Sequence, residues 1–312
     1  MLMGKPIVVF GSFVVDLTSR SAGLPVPGQT ILGNWFRYGP GGKGSNQAVA
    51  AHRAGADVVM VTKLGNDVFA DVALNFYQGE GMRTDYFLRD EEQPTGAALI
   101  MVDEKTAQNE IVVVPGACQH ITPEDVEGCR ALIEGASILL LQHEINMDAQ
   151  RAAIEIAHGA GVRIVLNPAP AMPIPDELMA KIDIVTPNET EAQALTGITV
   201  TDRESARKAA QVFLDKGIKN VVITMGALGV YVNDGTRDEL LPRLEVDAID
   251  TTGAGDAYNG GFVMALAEGR NLFEAARYGN ATGALSVTRL GTAPAMPGRA
   301  EIDEMVRRSY GL

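Results

Sequence analysis

Six short apolar runs rich in Val and Ile, at 7–10, 58–61, 138–141, 164–166, 182–185 and 221–223, most constrain what this chain can fold into. Strands that read as continuously apolar are strands covered on both faces, and those belong to parallel sheets. Between the runs lie helical periods. At 148–158 the residues Ala149, Ala152, Ala153, Ile156 and Ala157 line one face, and 202–214 repeats the pattern with Thr201 or Asp202 as its cap. Alternating strand and helix predicts an open, mostly parallel α/β sheet with right-handed crossovers. One region breaks the rhythm: 12–20, 30–38, 96–103 and 109–114 read as strands without intervening helices. They predict a small antiparallel β-sheet beside the main one, a lid over a site. The 312 residues contain no repeat or long linker, so 1–312 reads as one domain with this lid.

Charge narrows the partners. Lys and Arg number 26 against 39 Asp and Glu, a net charge of −13, so nucleic acid and anionic membrane surfaces are not expected partners. An anionic ligand would have to be attracted locally, by backbone N–H groups, a few placed cations or a metal. The two cysteines, Cys118 and Cys129, lack metal or redox spacing and read as reduced thiols of a cytoplasmic protein. The apolar stretch 7–15 is followed by Asp16 and Arg20 and has no small-residue cleavage site, so it reads as a buried first strand rather than a signal peptide.

Two glycine clusters carry the chemistry. The first, Gly39, Pro40, Gly41, Gly42, Lys43, Gly44, Ser45, Asn46 and Gln47, runs into a helical 48–54. It is not a Walker loop, because Arg37 stands where Gly is needed and Gly44 where Ser or Thr is needed. A dinucleotide fingerprint fails as well, since no buried strand leads into it. What remains is bare backbone at a helix start, which polar ligand atoms can approach closely. The second cluster is Asp250, Thr251, Thr252, Gly253, Ala254, Gly255, Asp256 and Ala257, before a helical 258–268. Small residues at a helix start leave N–H groups and about half a positive charge facing one spot, an anion hole. An acid, Asp256, beside an anion hole points to phosphoryl transfer: one group stabilises migrating phosphate charge while the other orients the attacking hydroxyl. Other signatures are rejected. Met147 breaks the HExxH that His143 and Glu144 begin, and no serine has a GxSxG context.

The two clusters, in this order and at this separation, resemble the two signatures of the ribokinase-like (PfkB) sugar kinases. The resemblance continues through Gly11 and Asp16, the run Asn167, Pro168, Ala169, Pro170, then Asn188 to Glu191, Thr224 to Gly226, and Val287 to Arg289, and lies nearest the ribokinase and deoxyribokinase branch. It implies that Asp16, Gly41, Gly42, Lys43, Asn46 and Glu144 hold the sugar together with Asp256, which is the catalytic base. Gly253, Ala254 and Gly255 would then stabilise the transferring phosphoryl group. It also implies a nucleotide site at Asn188, Thr224, Gly226, Gly229, Gly255 and Asn280. Glu191 would organise Mg2+ through water. Asp250, Thr252, Ser286, Arg289 and Gly291 match a site for a monovalent cation, K+, built largely from backbone carbonyls.

Two positions depart from the family pattern. Val14 stands where such pockets commonly carry Asn, which removes a partner for a sugar hydroxyl, and Ala295 stands where the cation site commonly has Ser. The expected activity is ATP- and Mg2+-dependent phosphorylation of the 5-hydroxyl of a pentose, with Val14 favouring 2-deoxy-D-ribose over D-ribose. The rivals are the same transfer to a hexose or nucleoside, and a silent sugar-binding protein of the same fold. A silent binder has no need of Asp256, Gly253, Gly255, Asn188 and Glu191. The lid strands are expected to form a homodimer, since exposed strand edges need cover.

Overall fold

Along the strands of the main sheet, alternate side chains enter two different cores. Ile7 and Val9 pack into one while Val8 and Phe10 pack into the other, and Ile138 and Leu140 are likewise parted from Leu139 and Leu141. That double burial is why these two runs carry no polar alternation.

The structure, a computed structural model, describes residues 5–106 and 108–312. In chain order its strands are β1 (Ile7–Phe10), β2 (Val14–Ser21), β3 (Trp35–Gly41), β4 (Val58–Gly65), β5 (Phe87–Asp90), β6 (Thr95–Asp103), β7 (Asn109–Gly116), β8 (Ile138–Gln142), β9 (Arg163–Asn167), β10 (Ile184–Val185), β11 (Asn220–Thr224), β12 (Val230–Asn233) and β13 (Asp238–Leu241). The helices are α1 (Lys43–Arg53), α2 (Val68–Gly79), α3 (Pro123–Gly128), α4 (Arg130–Glu134), α5 (Met147–Gly159), α6 (Asp176–Met179), α7 (Glu189–Thr196), α8 (Arg203–Asp215), α9 (Ala254–Ala267), α10 (Leu272–Ser286) and α11 (Arg299–Tyr310). Nine strands form one sheet in the order β13-β12-β11-β10-β9-β8-β1-β4-β5. It is parallel from β11 to β5, with β12 and β13 returning antiparallel at one edge. Helices α1, α2, α9, α10 and α11 cover one face, and α3 to α8 cover the other.

The remaining four strands make the lid, in the order β3-β2-β6-β7. Three expectations about it need correction. First, the sheet is mixed rather than antiparallel: β2 and β6 run parallel, because β6 arrives only after the crossover through β4, α2 and β5. Second, 30–34 is not strand, since pairing with β2 begins at Trp35 opposite Arg20 and β2 ends one residue later. Third, Ser12 and Phe13 precede the strand; the Ser12 carbonyl accepts the Ser45 N–H at 2.9 Å and so ties this turn to α1.

Helix α9 is buried along nearly its whole length and crosses α1 and α10 closely. A Cβ at Gly260 would stand 2.3 Å from Ala50 Cβ and 2.7 Å from the Ala51 nitrogen, so only glycine allows this crossing. The helix also starts four residues earlier than the expected 258, at Ala254, which places the second glycine cluster in its first turn.

Candidate active site

The first glycine cluster joins the lid to the body. Gly41 ends β3 opposite Val14, and a Cβ on it would lie 2.1 Å from Asp16 Oδ1, so the Asp16 carboxylate rests against bare backbone. Gly42 caps α1 with φ of 90°, a conformation other residues rarely adopt. Glu144, just beyond β8, accepts the Ser12 hydroxyl at 2.5 Å and the Lys43 backbone N–H at 2.9 Å. Burial, reinforced by Glu144 and Asp256, pushes the Asp16 carboxyl up to about 7. The Lys43 ammonium is held above its usual range, chiefly by Asp256 and further by Glu144 and Glu191.

Asp256 is 7% exposed in the first turn of α9. Its Oδ2 accepts Asn46 Nδ2–H at 3.0 Å and its Oδ1 accepts Gln47 Nε2–H at 2.9 Å. The structure therefore brings Asp16, Gly41, Gly42, Lys43, Asn46, Glu144 and Asp256 to one place. Asn46 Oδ1 is buried without a protein partner, the state of an acceptor left for a ligand hydroxyl.

No side chain caps the start of α9, and Gly253 there has φ of 77°. Ala254 and Gly255 open onto a cavity of about 580 Å³ that also meets Asn188, Thr224, Gly226, Gly229 and Asn280. Its apolar wall comes from Leu244, Val246 and Val287. The first two lie in a loop without period, so nothing in the sequence marked them. Asn280 turns its amide nitrogen inward to Pro242 O and Tyr310 Oη. Asn188 and Glu191 cap α7 reciprocally, each side chain accepting the other's backbone N–H, at 2.8 and 2.9 Å. Burial raises the Glu191 carboxyl.

Of the expected cation residues, Asp250 gathers two: Oδ1 accepts the Thr252 N–H and Oδ2 the Gly291 N–H, both at 3.0 Å. Burial opposes ionisation there, yet the Gly291 and Thr252 donors hold this carboxyl below its usual range. Ser286 donates its hydroxyl to Gly283 O within α10, and the Arg289 guanidinium pairs with Glu301. The Arg289 guanidinium cannot ligate a cation, which leaves its backbone, whereas the Ser286 hydroxyl oxygen keeps its lone pairs. Among the described residues no three His, Cys, Asp or Glu side chains form a metal cluster.

The chain and its fold have known counterparts. The pfkB family carbohydrate kinase model matches residues 5–299, and the chain belongs to that family. It is 42% identical over 307 residues to a ribokinase of Haemophilus influenzae, covering 98% of this chain and 100% of that protein. It is 34% identical over 299 residues to a deoxyribokinase of Salmonella typhi, covering 96% and 97% respectively. The solved structure of Arabidopsis thaliana ribokinase complexed with ribose and ATP matches with a TM-score of 0.90 at 30% identity, over 98% of this chain and 99% of that one. The fold, with its parallel sheet and separate lid, is ribokinase-like.

Proposed function

We propose that the protein transfers the γ-phosphoryl group of ATP to the 5-hydroxyl of a pentose, D-ribose or 2-deoxy-D-ribose, with Asp256 as the general base. The observation that carries this reading is the placement of Asp256 and the uncapped α9 turn: the carboxylate lies among Asn46, Lys43 and Asp16, while the adjoining Ala254 and Gly255 open onto the large cavity. The names of the ribokinase and deoxyribokinase relatives, and of the ribokinase bound to ribose and ATP, support the same substrates.

In this reading the sugar lies between Asp16, the backbone of Gly41 and Gly42, Lys43, Asn46 and Glu144. Asp16 accepts from sugar hydroxyls and Asn46 Oδ1 from another. Asp256 takes the proton of the attacking hydroxyl late, as a loose transition state requires, and the Gly253–Gly255 backbone receives the charge moving onto the phosphoryl oxygens. The nucleotide occupies the cavity beside Thr224, Gly226, Gly229 and Asn280. Glu191 suits Mg2+ held through water: its Oε2 is bound to Asn188 N, and its other oxygen is a hard donor with no hydrogen bond among the described residues. When bound, Mg2+ neutralises phosphate charge. The backbone around Asp250, Thr252, Ser286, Arg289 and Gly291 would hold K+, since the Asp250 carboxylate is already engaged in joining the two loops. We read residues 1–312 as one kinase domain that dimerises through its lid. No helix among the described residues is long and apolar enough to cross a membrane. Dependence on ATP and two unpaired cysteines, Cys118 and Cys129, support a cytoplasmic location.

The test is coupled ADP release over a panel of pentoses, hexoses and nucleosides, with K+ or tetramethylammonium as the cation. Pentose turnover, raised by K+, is expected to fall at least ~10²-fold in Asp256→Asn, the low end for losing a positioned base. Preference for a hexose or nucleoside would retain the phosphotransfer and remove the pentose. Pentose turnover that Asp256→Asn leaves intact would move the base elsewhere.

A further inference from the structure

Behind Asp256 runs a chain of buried amides whose orientations follow one from another. A carboxylate can only accept, so Gln47 must present its NH2 to Asp256 Oδ1, as it does at 2.9 Å. The same nitrogen gives its second hydrogen to Asn167 Oδ1 at 2.9 Å. Gln47 Oε1 is then left as an acceptor and receives Gln142 Nε2–H at 2.7 Å. Asn167 Nδ2 donates to Thr186 O, Thr186 Oγ1 to Asn259 Oδ1, and Asn259 Nδ2 to the carbonyl of Gly255. One network thus reaches both the base and the bare turn next to it. Gln47 and Gln142 are fully buried and shielded from bulk solvent, and the orientation that satisfies Gln47 leaves Gln142 Oε1 without a protein partner.

We infer that Gln47 is a positioning residue for Asp256: with Asn46 on the other oxygen it fixes the plane of the carboxylate, leaving the remaining lone pairs to face an incoming hydroxyl. The inference rests on the reading of Asp256 as the base. Gln47 does not itself need to touch the sugar, so its loss should lower turnover more than binding. A packing residue would instead affect stability, or kcat and KM together.

Three variants separate these cases. Gln47→Met keeps the volume and removes the donor. Expected are a fall in kcat of at least ~10-fold, in line with the cost of a misaligned reacting group, and KM for pentose and ATP within about twofold of wild type. Gln47→Glu can donate to Asp256 only while its new carboxyl is protonated. Glu191 from α7 and, once pH rises through about 7, Asp16 from β2 bear on Asp256 as further negative charges, with Lys43 from α1 as the opposing cation and Glu144 acting on Lys43. Two facing carboxyls in that setting retain one shared proton towards neutral pH. Turnover of Gln47→Glu should therefore lie within about threefold of wild type at pH 6 and drop a further ~10-fold relative to it by pH 9. Gln142→Leu, which releases Gln47 without touching Asp256, should lower kcat about threefold at unchanged KM, and carries the test if the Gln47 variants do not fold. Unchanged kcat in Gln47→Met or Gln142→Leu, or equal shifts in kcat and KM, overturns the inference while an inactive Asp256→Asn keeps the kinase reading. Wild-type protein that releases no ADP with any sugar overturns both.

Discussion

Asp16 shows at the scale of one residue what the proposed sugar site would demand of the fold. Its carboxyl, pushed up to about 7 by burial and then by Glu144 and Asp256, is less stable ionised in the folded protein than in the unfolded chain, where it titrates near 3.8. The stability associated with its proton is complete below pH 4 and disappears as pH rises through 7. Asp16→Asn should therefore stabilise the fold by on the order of 2–4 kcal/mol at pH 8, less at pH 5, while abolishing sugar affinity. Thermal unfolding at the two pH values checks the sign, and equal gains would refute it. Val14, two residues earlier and on the same face of β2, is 3% exposed and packs over Gly96. A pocket that bonds a hydroxyl rejects the deoxy sugar, whereas an apolar wall does not. The wild type should use 2-deoxy-D-ribose at least as well as D-ribose, and Val14→Asn should shift kcat/KM toward ribose by roughly 1–3 kcal/mol. A tenfold wild-type preference for ribose would defeat that argument. That Asp256 sits at the start of a helix beside bare backbone was legible, because Gly253 and Gly255 precede it in the sequence; that Gln47 would reach it was not, since a buried glutamine in an alanine-rich helix looks the same whether it packs or positions.

At the scale of elements, the site depends on how closely α9 approaches α1. Asn46 and Gln47 on α1 hold Asp256 on α9, and Gly260 sets the distance between the helices one turn further along. Gly260→Ala inserts a methyl group 2.3 Å from Ala50 Cβ, which the helices can accommodate only by separating. Overpacking of this kind costs about 1–3 kcal/mol, and the same separation stretches the bonds to Asp256. The variant should unfold at lower temperature and lose turnover, and wild-type kcat in a destabilised protein would show that helix spacing and catalysis are independent. The six apolar runs correctly located six parallel strands, because double burial writes itself into composition. Strand β5 and the hairpin β12–β13 escaped notice: Phe87, Leu88, Arg89 and Asp90 form too short and mixed an edge, and Asp238 and Glu239 are charged. The false strand at 30–34 has the opposite cause, since residues such as Ile31 suit a strand but find no partner there.

At the scale of the whole molecule, the lid lacks cover away from β2, where Val15 and Leu17 pack into the core. Register places Tyr38, Leu17, Leu99 and Val112 in one row across all four strands, and Tyr38, Leu99 and Val112 are 59%, 49% and 60% exposed. Strands β3 and β7 are unpaired edges of this sheet. An apolar row ending in open edges is a surface for another sheet, and a second copy of the lid supplies one of matching shape. The opposite face carries Asp16, so whatever steadies the row should also steady the proposed sugar site. The protein should therefore scatter light as a dimer at micromolar concentration. Val112→Glu, which places a charge in the row while lying on the strand farthest from β3, should yield single chains of unchanged fold. Its KM for the pentose should rise several-fold, with a smaller effect on kcat, because closure rather than proton transfer has lost its support. A wild type that scatters as one chain would remove the dimer; a monomeric Val112→Glu with wild-type KM would show instead that each lid closes without help from its partner.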